Sequence, residues 1–400
     1  MNKWISFLSY RCSFFIIFIV IACLAVTGCA IEPPIPSHFY SFDRSKPLGK
    51  PGDILSSERF SGAPAGASAF RVLYTSTGLN DKPIVVSGVI IVPTGIAPLD
   101  GRNIIAWAHP TTGVARRCAP SLLQQIFNKI PGLIYFLEHG YIVTATDYPG
   151  LGTNSPPSYL VGLTEGRAVL DSVRAVYQLV GTKAGSRVVL WGHSQGGHAV
   201  LFAGQLAASY APELSLAGIA AAAPATHLAT LFNDDFETDI GKILTAYTLW
   251  SWSKVYSAHL NGIIKPSALP IVEQISTDCI ESSMEAYRIM YDARPLGKTF
   301  LKNKPYQEKP WSSFIAANEP GQLHISAPLL ITQGMSDQIV LPKVTADFVK
   351  DLCKSGETVN FVKLPKVGHI TAGEDSAAIA AKWITNRFAK KSAPNDCLKQ

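Results

Sequence analysis

A serine between two glycines is the residue of this chain best placed to act as a nucleophile. The segment 192–196 reads Gly-His-Ser-Gln-Gly; it follows an apolar run and precedes an apolar, helix-forming stretch. On such a strand–turn–helix the serine sits in a turn too tight for flanking side chains, and the glycines supply the room. Free backbone N–H groups at the start of the helix would face an oxyanion formed there. The pattern predicts that Ser194 is a catalytic nucleophile.

A serine hydroxyl needs a base to take its proton, and an acid must hold that base in the right tautomer. A strand–turn–helix that carries the nucleophile in this way is called a nucleophile elbow. In proteins with this elbow, the acid and then the histidine follow the serine along the chain. Asp337 lies in the loop after the apolar run 328–333, and His369 follows the last apolar run, beside Gly368. The sequence therefore predicts the triad Ser194, Asp337 and His369.

An oxyanion hole requires two hydrogen-bond donors. One is predicted to be the backbone N–H of Gln195, directly after the nucleophile. The second could come from the segment 109–113, after an early strand, or from the segment 147–152, after the next strand. Pro110, within the first of these, has no N–H to give. At this point both loops, with Thr111 and Asp147 as their candidates, stay open.

The elements that would position these groups alternate along the chain. Short apolar runs bounded by turn residues predict buried parallel strands at 85–92, 103–108, 141–147, 187–192, 216–223, 328–333 and 359–364. Apolar stripes predict helices between and after them, as at Val169, Val173, Val176 and Val180, and at Ala380, Trp383, Ile384 and Phe388. The alternation predicts a doubly wound, mostly parallel sheet between helices. Together with the strand–turn–helix around Ser194, it predicts an α/β-hydrolase.

The alternation fails over residues 226–326, which predicts a helical cap or lid inserted between two strands. Aromatic side chains in this segment could cover the mouth of the site; they are Tyr247, Trp250, Trp252 and Tyr256. The alternative is that they form the core of the insertion itself. The catalytic domain as a whole is predicted over 66–395.

The N-terminus has the form of an export signal. Lys3 and Arg11 precede an apolar core over 14–26, which is too short to cross the roughly 30 Å hydrocarbon layer of a membrane. Val-Thr-Gly-Cys at 26–29 resembles a bacterial lipobox. It predicts cleavage after residue 28, lipidation of Cys29 and an outer-membrane or periplasm-facing destination, an incidental cysteine being the alternative. Residues 29–65, rich in Pro, Ser and Gly, are predicted to form a tether.

Composition argues against several classes of protein. With 47% hydrophobic and 16% charged residues, the chain can build a large packed core. The net charge of +6 is spread without any basic run longer than Lys390-Lys391, so nucleic-acid binding has no support. The sequence has no Cys-X-X-Cys or His-X-X-X-His pair that would suggest a metal site. The predicted chemistry requires no cofactor.

Four cysteines remain when the leader and Cys29 are set aside: Cys118, Cys279, Cys353 and Cys397. In an exported chain they predict two disulfides, and spacing alone allows three pairings.

Several segments resemble the fungal secretory triacylglycerol lipases of the yeast lipase A type. They include 118–121 (Cys-Ala-Pro-Ser), 147–150 (Asp-Tyr-Pro-Gly), 165–171, the elbow and 209–214 (Ser-Tyr-Ala-Pro-Glu-Leu). The resemblance covers roughly residues 70–395, and the lipobox suggests a bacterial relative. It implies the triad already named, oxyanion donors from Asp147 and Gln195, and the disulfides Cys118–Cys279 and Cys353–Cys397. It also implies a helical lid.

The predicted function is a serine ester hydrolase, a lipase or carboxylesterase, that cleaves acyl esters or lipids through an acyl-enzyme. A serine peptidase of the same fold is one alternative, because the same triad cleaves amides. Such a peptidase would require a charged pocket to bind a peptide terminus. A non-catalytic binding lipoprotein that keeps the fold is the other. The sequence specifies neither the acyl chain nor the alcohol.

Overall fold

A mixed β-sheet forms the centre of the molecule. The computed structural model describes residues 35–43, 45, 47–234, 238–297 and 299–399, so the predicted signal segment and Cys29 lie outside the described residues. The strands are β1 (Ile54–Phe60), β2 (Ala67–Thr77), β3 (Pro83–Pro93), β4 (Arg102–Ala108), β5 (Ile142–Thr146), β6 (Ala184–His193), β7 (Ser215–Ala222), β8 (Leu329–Gly334) and β9 (Val359–Leu364). None of the helices in the described ranges is both long and apolar enough to cross a membrane.

The strand order is β1-β2-β3-β5-β4-β6-β7-β8-β9. The first three strands are antiparallel to their neighbours, and the strands from β5 to β9 in this order run parallel to one another. The predicted doubly wound, mostly parallel sheet is confirmed. All of the predicted strands are present, with small shifts of their ends. The strand predicted at 85–92 was expected to be parallel, but β3 is antiparallel to both β2 and β5.

Helices cover both faces of the sheet. They are α1 (Leu133–Glu138), α2 (Gly162–Gln178), α3 (Gln195–Tyr210), α4 (Leu228–Asp234), α5 (Asp239–Val255), α6 (Leu269–Ile275), α7 (Ser283–Ala293), α8 (Trp311–Ala317), α9 (Pro342–Lys354) and α10 (Ala372–Phe388). Side chains of β6 alternate between the two layers, as a pleated strand requires. Val188 and Leu190 pack with α2 and α3, whereas Val189 and Trp191 pack with α1 and α10.

The N-terminal part of the sheet differs from the prediction. β1 lies within the residues 29–65 that were expected to be a tether, and it pairs with β2. Tyr40, also in that range, is only 2% exposed, and its hydroxyl lies 2.7 Å from that of Ser121. The apolar pattern missed β1 and β2 because antiparallel strands near a sheet edge carry polar residues on their exposed face. Val180, assigned to a helical stripe, lies beyond the end of α2 and is exposed.

The residues between β7 and β8 form the predicted helical insertion, with helices α4 to α8. Its core contains Tyr247 and Trp252, which are fully buried; the Trp252 indole donates to the carbonyl of Tyr159 at 3.0 Å. Trp250 donates to a Glu273 carboxylate oxygen at 3.0 Å, and the Tyr256 ring stacks on Phe314. The expectation that these aromatics cover the site is wrong, and they pack in the insertion instead.

The described residues contain two disulfides, in the pairing that the family resemblance implies. Cys118–Cys279 joins the segment after β4 to the insertion, and Cys353–Cys397 joins α9 to the C-terminal segment. The first therefore holds the insertion against the loop that leads from the centre of the sheet.

Candidate active site

The turn between β6 and α3 presents Ser194 at the carboxyl end of the central strands. Ser194 has φ 56° and ψ −116°, a backbone conformation that costs free energy for any residue other than glycine. A Cβ at Gly192 would overlap the carbonyl of Gly196, and a Cβ at Gly196 would overlap the carbonyl of Ala108. The two glycines are thus required for the close approach of β4, β6 and α3 beneath the serine.

Ser194, His369 and Asp337, which sequence analysis predicted as a triad, lie in one hydrogen-bonded chain. The Ser194 Oγ is 2.8 Å from His369 Nε2, and His369 Nδ1 is 2.8 Å from Asp337 Oδ2. A carboxylate only accepts, so Nδ1 donates to Asp337 and Nε2 is left to accept the serine proton. This geometry can convert the hydroxyl into a nucleophile.

Asp337 is held as an anion by the loop that follows β8. Its Oδ1 accepts from the backbone N–H groups of Ile339 and Val340, each at 2.9 Å, and its Oδ2 accepts from Gln333 at 3.1 Å. Burial opposes ionisation of this carboxyl, but the hydrogen bonds from His369 and the two N–H groups outweigh it and lower the pKa below its ordinary value. Asp337 is therefore ready to stabilise an imidazolium.

Asp147 does not serve as an oxyanion donor, so that expectation is wrong. Its backbone N–H donates to the carbonyl of Ser87 at 2.9 Å. Its buried carboxylate accepts from the hydroxyls of Ser87 and Ser121 and from the Ser121 N–H. Burial raises the pKa of this carboxyl to about 6, against the effect of those hydrogen bonds. Asp147 anchors the loop that carries Ser121.

The other loop left open by the sequence, 109–113, lies beside the elbow. The first turn of α3 packs directly on the carbonyls of Ala108 and His109. The Thr111 hydroxyl is 3.0 Å from that of Tyr159, a residue that lines the cavity at Ser194. Within the described residues, the backbone N–H of Thr111 makes no hydrogen bond. The N–H of Gln195, at the start of α3, is likewise unpaired, so Thr111 stays the predicted second oxyanion donor.

A mostly apolar cavity opens beside Ser194. Its walls include Leu228, Leu231 and Phe232 of α4, Leu244 of α5, and Ile339 and Val340 of the Asp337 loop. The insertion thus covers the site with aliphatic side chains of α4 and α5, not with the aromatic residues that the sequence suggested. Among the described residues that line this cavity, none carries a formal charge.

Two buried groups near the serine were missed by sequence analysis. Glu165 of α2 accepts from the side-chain amide of Gln195 at 2.6 Å, and its other oxygen lies 3.2 Å from His198. His193, directly before the serine, lies with Nε2 3.0 Å from the carbonyl of His369. In the sequence, each of these two residues is marked only as a polar residue inside an otherwise apolar stretch.

His193 is a positioning residue for the His369 loop. Burial and the neighbouring His369 lower its pKa to about 3, so above that pH it is neutral and its Nε2–H donates to the His369 carbonyl. We expect His193→Phe to reduce kcat by roughly tenfold to a hundredfold, because small displacements of a catalytic base are costly. His193→Gln, which keeps a donor, should retain most activity. Measurement of kcat as a function of pH would check this. Both variants should show the same fall in kcat on the acid side of the profile as the wild type. A shift of that fall along the pH axis would contradict a purely positioning role for His193.

The chain resembles known proteins in both sequence and structure. The family model for the secretory lipases matches residues 128–396. Lipase 10 of Candida albicans is 26% identical over 408 residues, which span 92% of this chain and 84% of that protein. Lipase A of Moesziomyces aphidis is 24% identical over 91% of this chain and 82% of its own length.

Among solved structures, Candida antarctica lipase A superposes with a TM-score of 0.75 at 21% identity, over 92% of this chain and 89% of that one. The rice cell wall degrading esterase LipA from Xanthomonas oryzae gives a TM-score of 0.68 at 20% identity, over 85% of this chain and 97% of that one. At these identities the structural likeness establishes the fold, and the predicted α/β-hydrolase fold is confirmed.

Proposed function

Because the chain belongs to the secretory lipase family, we propose that it performs its ester hydrolysis with Ser194 as nucleophile, His369 as base and Asp337 as the acid that orients the base. The chain is a serine ester hydrolase whose substrates are lipid or other acyl esters. The observation that carries the assignment of residues is the chain of two 2.8 Å hydrogen bonds from Ser194 through His369 to Asp337.

The reaction follows from this geometry. His369 Nε2 takes the Ser194 proton as Oγ attacks the ester carbonyl, and the Asp337 carboxylate stabilises the imidazolium that forms. The oxyanion accepts from the backbone N–H groups of Gln195 and Thr111. His369 then protonates the leaving alcohol, which departs and leaves an acyl-enzyme. A water molecule, deprotonated by His369, attacks the acyl group and releases the acid.

The uncharged side chains in the described walls of the cavity support an acyl chain as the group bound beside the serine. Burying such a chain against Leu228, Leu231 and Phe232 gains about 0.8 kcal/mol per methylene. A peptidase that holds a peptide terminus would need an opposite charge in the pocket, and the described residues that line this cavity provide none. We take α4 and α5 as the cap over the acyl site, and their opening as a lid stays a prediction.

Two measurements test this function. Wild-type protein should hydrolyse p-nitrophenyl esters, with kcat/KM rising from acetyl toward medium acyl chains as more methylenes are buried. A fluorophosphonate probe should label the protein at Ser194, as peptide mapping would show. A preference for acetyl esters would indicate a short-chain carboxylesterase. Absence of both labelling and hydrolysis would favour the non-catalytic binding lipoprotein.

The protein is exported, as its family is, and we propose that lipidation of Cys29 anchors it to a membrane. The support is the Val-Thr-Gly-Cys run at 26–29. Ala30 follows in place of an aspartate, so no inner-membrane retention signal is visible and the outer membrane is the expected destination.

We expect Cys29→Ser to abolish lipid attachment and to give soluble protein or an uncleaved precursor. Membrane fractionation and intact mass would check this. Cys23→Ser, a substitution within the apolar core, is the matched control and should remain lipidated. Equal membrane recovery of wild type and Cys29→Ser, with no lipid mass on either, would overturn the anchor.

A further inference from the structure

One hydroxyl in the wall of the cavity has no hydrogen-bond partner. Thr245 lies on α5 and lines the cavity beside Ser194, and its side chain is only 3% exposed. Within the described residues its hydroxyl neither donates nor accepts a hydrogen bond, yet its oxygen is not among the fully enclosed unpaired atoms. Because the residue lines the cavity, the little surface that remains opens into it.

The neighbouring threonine shows that α5 can satisfy such a group. Thr248, one turn further on, lines the same cavity, and its hydroxyl donates to the carbonyl of Leu244 at 2.8 Å. This bond to the preceding turn is the usual arrangement for a helical threonine. The Thr245 hydroxyl does not donate the corresponding hydrogen bond to the carbonyl of Gly241. A buried hydroxyl without a partner costs free energy, so its place in the wall is explained if a ligand supplies the partner.

Most of the described walls are apolar. Leu228, Leu231, Phe232 and Leu244 line the same cavity as Thr245 and offer no hydrogen-bonding side chain. The other hydroxyl near the reacting serine, that of Tyr159, is bonded to Thr111. In the described walls, the Thr245 hydroxyl is therefore left for a ligand in addition to the groups of Ser194 and Gln195 that the reaction uses. The side-chain oxygen of Gln195 is unpaired as well, but it is fully enclosed.

We propose that Thr245 is a specificity-determining residue that hydrogen-bonds a substrate oxygen outside the scissile ester. The inference rests on the proposed function and narrows its substrate class to esters with an additional hydroxyl or carbonyl oxygen. That oxygen belongs either to an oxygenated acyl chain, as in a hydroxyacyl ester, or to a hydroxylated alcohol, as in a monoacylglycerol. A site that hydrogen-bonds a substrate oxygen discriminates against an analogue that lacks it.

The test compares wild type with Thr245→Val, which keeps the side-chain shape and removes the hydroxyl. One arm measures kcat/KM for p-nitrophenyl octanoate and for hydroxyoctanoates with the hydroxyl at different carbons. The other arm compares propyl octanoate with monooctanoylglycerol. In each arm, the ratio of kcat/KM for the oxygenated ester to kcat/KM for the plain ester is compared between the two proteins. We expect this ratio to fall about threefold to tenfold in Thr245→Val, in whichever arm carries the oxygen that Thr245 binds. Thr245→Ser should retain the ratio. Thr94→Val, at an exposed threonine outside the site, should not change it.

The thermal midpoint provides a second measurement. Because the Thr245 hydroxyl makes no hydrogen bond to any described residue, Thr245→Val should unfold at the wild-type temperature or above. An unchanged ratio in both arms, or a clearly lower midpoint, would overturn the proposal. If wild type fails to hydrolyse even the plain esters, the proposed function fails as well. Hydrolysis of plain esters with an unchanged ratio removes only the role of Thr245.

Discussion

Ser194→Ala, His369→Ala and the double variant should lose nearly the same ester hydrolysis, on the order of a million-fold in kcat, or about 8 kcal/mol of transition-state stabilisation. The Ser194 Oγ and His369 Nε2 are 2.8 Å apart, and neither group can act without the other. Once the nucleophile is removed, loss of the base has little further effect. The measurement is single-turnover hydrolysis of a soluble p-nitrophenyl ester by protein free of contaminating esterase.

Matched controls separate this effect from damage to the fold. Ser355 and His139 are exposed and lie outside the site, so Ser355→Ala and His139→Ala should keep wild-type rates. Residual hydrolysis by His369→Ala should come from the oxyanion donors and substrate binding alone. If the losses of transition-state stabilisation in the two single variants add up in the double variant, the two residues act independently. Robust hydrolysis by Ser194→Ala would show that the nucleophile lies elsewhere.

The candidate triad residues and their order along the chain were predictable from the sequence, because the local backbone geometry requires particular residue types. A serine in a strained turn needs glycines at its flanks, and the order of serine, acid and histidine follows the order of the strands. The parallel strands were predictable for a similar reason, since strands buried on both faces are continuous apolar runs. These features depend on neighbours in the chain.

What the sequence did not reveal depends on contacts between distant segments. The N–H of Asp147 is used by the carbonyl of Ser87, on another strand, and no local pattern shows that pairing. Trp252 looked like a covering residue, but its indole is bonded to the carbonyl of Tyr159 and packs inward. The bond from His193 to the carbonyl of His369 also joins segments far apart in sequence.

Asp337→Asn should lose less activity than the serine or histidine variants, on the order of ten-thousand-fold in kcat. An asparagine that turns its oxygen toward the N–H groups of Ile339 and Val340 places its amide against His369 Nδ1. That nitrogen must then accept, so the proton moves to Nε2 and the histidine can no longer take the serine proton. The loss therefore reports the wrong tautomer of an intact base.

Gln333 makes this substitution costly to stability as well. Its side-chain N–H donates to Asp337 Oδ2, to Gly334 and to Val340, while its oxygen accepts from Thr345, so the amide cannot flip. Either orientation of the substituted asparagine amide would set a donor against a donor, which costs about 1–3 kcal/mol for a buried group.

Kinetics and thermal unfolding, measured on the same preparation, distinguish these effects. Asp351→Asn is the control, because Asp351 is exposed on α9 and should affect neither activity nor unfolding strongly. A folded Asp337→Asn variant that reacts with a fluorophosphonate at the wild-type rate would remove Asp337 from the triad. A loss as large as that of Ser194→Ala, in a variant that remains folded, would mean that Asp337 does more than orient the imidazole and stabilise its charge.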